Sequence, residues 1–197
     1  VKFYSGIILT NDDVLSWYVK RFRVKQKFLF FPIIQKDQDF RLLLENALPV
    51  SKILEDTYHL EGRQVLLFVG RLIDIKNLFF LLDALALVVN RYPKVILLFV
   101  GDGDQRVALE RHAERNGLAD HVIFAGKKQG EDLYACYNVG QIFILPSYYE
   151  RFGAVVNEAL LAGCYTLCSV VAGAACLIEP QKNGDLFDPA SKKYLAG

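Results

Sequence analysis

The sequence predicts an α/β fold with a doubly wound, mainly parallel sheet. Three observations lead there: short apolar runs recur along the chain, most of them end at a glycine or proline, and segments of helical periodicity separate them. Apolar runs without alternation suit strands covered on both faces. Helices between such strands imply right-handed crossovers and two helical layers.

The first strand is Val65–Val69, which ends at Gly70, and the second is Val95–Val100, which ends at Gly101. His121–Ala125 ends at Gly126 and Gln141–Leu145 at Pro146. Tyr165–Ser169 is a fifth candidate and Asp185–Phe187 a short sixth. Residues 78–91 place Leu78, Leu81, Leu82, Leu85 and Val89 at helical spacing, which reads as a core-facing stripe. Residues 104–116 are charged around Val107, Leu109 and Ala113, and 130–138 and 153–162 are shorter helices.

Residues 1–62 read differently. Phe3–Leu9 suits a strand, Asp12–Arg23 a helix behind an Asn11 cap, and Phe28–Phe31 an apolar run stopped by Pro32. Residues 38–60 suit one or two helices interrupted at Pro49. The expected division is 1–62 as the tail of a preceding domain plus a linker, and 63–197 as a Rossmann-like domain. The chain starts inside an apolar run without methionine, so it is expected to be part of a longer protein.

The 197 residues are 53% hydrophobic and 23% charged, which describes a well-filled globular core. A net charge of +1 gives no reason to expect a nucleic-acid partner. No apolar run of about 18 residues is present to span a bilayer. Cys136, Cys164, Cys168 and Cys176 form no C-x-x-C pair and lie far from the three histidines, so no metal site is expected. Buried, reduced thiols in a cytoplasmic protein are the expectation.

Ligands of open parallel sheets bind beyond the carboxyl ends of the strands. After the first strand comes Gly70-Arg71-Leu72-Ile73-Asp74-Ile75-Lys76-Asn77. Gly70 allows close backbone approach, Arg71 and Lys76 supply cations, and Asn77 is a candidate helix cap. Together with a helix N-terminus they would cradle a diphosphate. Read alone, the segment is equally a strand–helix turn with two solvated charges.

Glu150-Arg151-Phe152-Gly153-Ala154-Val155-Val156-Asn157-Glu158 carries two glutamates, one in a post-strand loop and one on the next helix. With a helix starting near Gly153, Glu158 lies about 7–8 Å along it. The amides of Phe152 and Gly153 would then face phosphate, between carboxylates suited to sugar and ribose hydroxyls. The bland alternative is helix surface charge.

In combination, Gly70-Arg71-Leu72 with Lys76-Asn77, Pro146-Ser147 with Glu150, Phe152-Gly153 and Glu158-Ala159 resemble the C-terminal domain of retaining, two-domain (GT-B) glycosyltransferases of family 4, the group sharing an E-x7-E motif. The similarity runs from about Val65 to Pro189, and Val100-Gly101-Asp102-Gly103, Ala162-Gly163 and Asn183-Gly184 with Leu186-Phe187 agree with it. The resemblance implies that the parent enzyme moves a sugar from a nucleoside-diphosphate sugar to a glycan or lipid-linked acceptor. The acceptor would meet the N-terminal domain, so the fragment would hardly turn over alone.

The resemblance also implies roles. Arg71 and Lys76 would bind the diphosphate and stabilise the leaving nucleotide, and Glu150 would contact the donor sugar or orient the phosphate loop. Glu158 would hold the ribose, Gly70, Phe152 and Gly153 would approach the phosphates, and the backbone at Gly126-Lys127 would meet the base. Retention without a protein nucleophile is implied, so the glutamates are not a glycosidase acid/base pair. No cofactor or metal is expected. A GT-B-fold epimerase and a non-catalytic nucleotide-binding or interaction domain stay open as alternatives, while a dehydrogenase would need a G-x-G-x-x-G absent after the first strand.

Some positions depart from the family pattern. Arg151 stands where glycine is common, Tyr165 replaces a frequent proline, and Gly173-Ala174-Ala175-Cys176 lacks the usual proline and glutamate. These leave the donor sugar open. Asp102-Gly103-Asp104 is a D-x-D, a metal signature of another glycosyltransferase fold, but here it reads as a turn with Asp104 as the helix cap. Lys20–Lys27 holds five cations in eight residues, a solvated face or else a contact with a membrane surface on the cytoplasmic side.

Overall fold

The computed structural model describes residues 6–9, 19–21, 27–30 and 37–190. Two short strands, β1 (Gly6–Leu9) and β2 (Lys27–Phe30), pair in parallel as a sheet of their own. The helix expected over Asp12–Arg23 lies outside the described residues except for 19–21, which are helical. Most of the basic run, and the Asn11 cap, also lie outside them. Two helices follow, α1 (Asp37–Asn46) and α2 (Leu48–Thr57). They part at Ala47, and Pro49 sits in the first turn of α2, where its missing N–H costs nothing.

The main sheet consists of β3 (Gln64–Val69), β4 (Val95–Val100), β5 (Val122–Gly126), β6 (Ile142–Leu145), β7 (Tyr165–Ser169) and β8 (Gly184–Phe187). All six strands run parallel in the order β5-β4-β3-β6-β7-β8. The crossover helices are α3 (Leu78–Val88), α4 (Arg106–Arg115), α5 (Glu131–Val139) and α6 (Ala154–Leu161). The order turns back at β3, where β4 lies on one side and β6 on the other. That reversal opens a crevice at the carboxyl edge.

Every residue of β4 is buried, as its unalternated sequence requires. The register sets Phe68 opposite Phe99 and Phe99 opposite Phe124. Their rings meet edge-on at 5.7 Å and stacked at 5.0 Å, a ladder through the strands in which the fully buried rings of Phe68 and Phe99 each contribute roughly 1.5–3 kcal/mol. Helix α3 is buried on most sides through Leu78, Phe80, Leu81, Leu82, Ala84 and Leu85, whereas charged α4 buries Leu109 and Ala113.

Helices α1 and α2 lie within the segment expected to be a linker. They pack on α5, and Phe40, Leu44, Ala47, Leu54 and Leu60 join the core of the main sheet. Phe40 meets Tyr134 edge-on at 5.4 Å.

Two expected caps are corrected. Asn77 occupies the N-cap position of α3, yet its side chain caps nothing. It is buried in the left-handed conformation (φ 58°), and its amide donates to Pro189 O at 3.0 Å, tying α3 to the chain beyond β8. Asp104 precedes the N-cap position, which Gln105 fills without a side-chain bond. Asp102 closes the turn instead, accepting from the Gly103 amide at 2.8 Å. A third correction concerns the thiols: Cys136, Cys164 and Cys168 are buried, but Cys176 is exposed.

Candidate donor-binding edge

The loops after β3, β4, β5 and β6 are joined at the carboxyl edge by backbone hydrogen bonds. Gly70 donates to Val100 O at 2.9 Å, Leu72 to Asp102 O at 3.0 Å, and Gly101 to Gly126 O at 2.9 Å. Tyr148 donates to Ile75 O at 2.9 Å, fixing the glutamate loop against the Arg71–Asn77 turn. The fit explains a motif glycine: a Cβ on Gly101 would lie 1.8 Å from Gly70 O. The Gly-Asp-Gly turn is thus required by close backbone approach.

The Arg71–Asn77 segment ends in a 3-10 turn, Asp74–Lys76, before α3 begins at Leu78. Arg71 is exposed at the edge. Lys76 is turned inward, and its ammonium donates to Glu150 Oε2 in an ion pair whose side chains are 12% and 18% exposed. Two residues expected to serve one ligand therefore hold each other. Lys127 is exposed after β5, beside the half-buried Gly126.

Glu150 is fixed along its backbone as well. It bridges in parallel to Ala172, its carbonyl accepts from Gly173 at 3.2 Å, and Phe152 O accepts from Ala174 at 2.7 Å. The Gly173–Leu177 turn, where the sequence departs from the family pattern, thus backs the glutamate loop. Phe152 sends its ring into the core at 4% exposure. Gly153 takes φ 91° at the N-cap of α6, which has no side-chain cap, so the helix presents its backbone N-terminus to the edge.

Glu158 is half-buried on α6 and accepts from the Tyr137 hydroxyl at 2.7 Å. Burial, reinforced by the Glu158 carboxylate, pushes the Tyr137 phenol well above its ordinary pKa. The sequence offered no sign of this contact, because Tyr137 lies 21 positions away and reads as one more core aromatic. Burial likewise pushes the thiols of Cys136, Cys164 and Cys168 up to about 12.

Arg71, Lys76, Glu150, Gly153 and Glu158 thus follow β3 and β6, the two strands at the reversal, with Lys127 two strands out from β3, after β5. A cavity of about 260 Å³ opens behind this edge, lined by Asp74, Asn77, Phe79, Asp83, Tyr148 and Pro189. A larger apolar one of about 510 Å³ lies at the amino-terminal half of the strands, against Val65, Leu66, Tyr92, Gln141, Ile142 and Leu167. None of the candidate site residues lines either. Among the described residues, no three of His, Cys, Asp and Glu gather as metal ligands, and no helix is long and apolar enough to cross a membrane.

The family model described as glycosyl transferases group 1 matches residues 51–197. The chain belongs to this family. An uncharacterized glycosyltransferase of Methanocaldococcus jannaschii is 33% identical over 136 residues, covering 69% of this chain and 35% of that protein. Mannosylfructose-phosphate synthase of Agrobacterium fabrum is 31% identical, covering 96% of this chain and 43% of that protein. Anabaena HepE, crystallised with UDP, superposes with a TM-score of 0.77 at 25% identity, over 99% of this chain and 53% of HepE. This group 1 glycosyltransferase chain therefore has the GT-B-type fold, and it spans less than half of the Methanocaldococcus jannaschii and Agrobacterium fabrum proteins and about half of HepE.

Proposed function

We propose that the chain is the donor-binding, C-terminal half of a retaining glycosyltransferase of the family 4 type. It would bind a nucleoside-diphosphate sugar for transfer, of hexosyl type, to a glycan or lipid-linked acceptor. The observation that carries this reading is the Lys76–Glu150 ion pair, held beside Gly153 at the uncapped N-terminus of α6. HepE, with its UDP and UDP-glucose complexes, supports a nucleotide sugar as the ligand.

In this reading the diphosphate lies between Arg71 and Lys76 and against the positive end of α6. When the glycosidic bond breaks, the leaving nucleotide gains charge, and the two cations stabilise it. That electrostatic role replaces a metal ion, so none is required. Lys76 shares its charge with Glu150, which holds the ammonium over the phosphate position and turns its remaining oxygen to the sugar hydroxyls. Glu158 takes the ribose, the backbone at Gly126-Lys127 the base, and the amides at Gly70, Phe152 and Gly153 the phosphates. The acceptor meets the N-terminal half, of which residues 1–62 would be tail and linker. The enzyme would work in the cytoplasm, and a lipid-linked acceptor would bring it to the membrane surface.

The test uses the longer protein, a panel of nucleotide sugars and NMR of the product. A retained anomeric configuration, with a rate unchanged by EDTA, is expected. Inversion overturns the retaining mechanism, and loss of activity in EDTA overturns the metal-free one. Robust transfer by the 197-residue chain alone would contradict the half-site reading.

A further inference from the structure

Tyr137 is the bulkiest of the fully buried side chains among the described residues. It projects from the last turns of α5, and side chains on a helix lean toward its N-terminus. α5 descends from the carboxyl edge of the sheet, so the phenol points back up toward that edge. There it donates to Glu158 Oε2 at 2.7 Å, a distance suited to a neutral hydroxyl on a carboxylate. The ring is fixed by Phe40, edge-on at 6.2 Å, and by Phe143 at 6.5 Å. The adjacent Asn138 donates to Leu44 O at 2.9 Å and Ser51 Oγ at 3.0 Å, which fastens α5 to α1 and α2. Because its pKa is raised, the phenol remains a donor at any neutral or mildly alkaline pH.

A carboxylate on a long side chain is a loose acceptor unless something fixes its plane. Here one oxygen is held from beneath, and the other has no partner among the described residues and is open to an incoming donor. We infer that Tyr137 is a positioning residue: it orients Glu158 so that Oε1 accepts from the ribose hydroxyls of a bound nucleotide, and so sets the preference for ribonucleotides over 2′-deoxyribonucleotides. The inference rests on the reading of Glu158 as the ribose-binding acid. It also gives helices α1 and α2 a part in donor recognition, since they brace the ring and the helix that carry the hydroxyl.

Tyr137→Phe removes one oxygen and keeps the ring contacts. Calorimetric titration of the 197-residue chain with UDP, GDP, ADP and the 2′-deoxy counterpart of the tightest binder gives the ribo-to-deoxy affinity ratio. Tyr137→Phe is expected to weaken the ribonucleotide about tenfold, leave the deoxynucleotide nearly unchanged, and add nothing further in a Glu158→Gln background. A full ribo-to-deoxy ratio in Tyr137→Phe overturns the inference, as does an equal loss for both nucleotides, which is the mark of a merely structural role. If Glu158→Gln itself leaves the ratio intact, or no nucleotide binds, the donor-site reading fails first and the inference with it. Should Tyr137→Phe not fold, 3-fluorotyrosine at position 137 keeps the packing and alters only the acidity of the donor. A shifted ratio then supports the inference, and an unchanged one overturns it.

Discussion

Lys76 and Glu150 stand 74 positions apart and meet as an ion pair at the carboxyl edge of the sheet. One leaves the turn after β3 and the other the loop after β6, so the pair spans the point where the strand order reverses. Both side chains are largely withdrawn from water, so removing either one leaves a partly buried charge without its partner.

This pairing predicts an asymmetry between two variants. Lys76→Ala leaves the Glu150 carboxylate without its cation, costs about 1–3 kcal/mol in urea unfolding, and weakens nucleoside-diphosphate binding by about tenfold or more. Glu150→Gln keeps the ammonium and removes its competitor for phosphate. Calorimetry should find diphosphate affinity within about threefold of the parent or tighter, while transfer by the longer protein falls. Equal losses of affinity in both variants would contradict the shared-cation arrangement.

Arg71 is exposed and its side chain braces nothing among the described residues, so Arg71→Ala should change stability by no more than about 0.5 kcal/mol. Its effect should fall on phosphate: about tenfold weaker diphosphate binding, a shallower dependence of affinity on salt, and unchanged affinity for the nucleoside. Titrations at two salt concentrations check this.

Gly153 takes φ 91°, and a Cβ there would lie 2.9 Å from Leu145 Cδ2 and 3.1 Å from Glu150 Cγ. Gly153→Ala should therefore cost about 1–3 kcal/mol and also displace the N-terminal amides of α6 that face the phosphates in this reading. A drop in melting temperature together with lost diphosphate affinity is expected, and a neutral variant would contradict the loop geometry.

The thiols predict both reactivity and alkaline behaviour. Cys176 should react at once with a disulfide reagent, and Cys136, Cys164 and Cys168 only on unfolding. Burial raises each of these three from an ordinary 9.0 to about 12, so the unfolded chain releases their protons first as pH rises. Their contribution is whole below pH 9 and is lost between about 9 and 12, at roughly 1.4 kcal/mol per thiol per unit at most. Urea midpoints measured from pH 8 to 11 should fall more steeply than in Cys168→Ala.

The strands of the main sheet were legible because buried parallel strands are continuous apolar runs, and β3, β4 and β7 lie within a residue of the runs that announce them. The grouping at the carboxyl edge followed from the same reading, since Arg71, Lys76, Glu150 and Glu158 come just after strands or open the next helix. The partnerships were not legible. Lys76 with Glu150, and Tyr137 with Glu158, depend on how two loops or two helices meet across the fold. Asn77 and Asp104 misled for a local reason. Both residue types cap helices well, but a left-handed turn at Asn77 and the bond from Gly103 to Asp102 redirect the chain. The packing of α1 and α2 on α5 has no local sequence sign either, because an amphipathic helix does not name its partner.

The most direct test is calorimetric titration of the chain with UDP, GDP, ADP and CMP, alongside Arg71→Ala and Glu158→Ala. A donor-binding edge predicts selective binding of one nucleoside diphosphate, weakened in both variants. Binding of none, or equal binding by parent and variants, would contradict it.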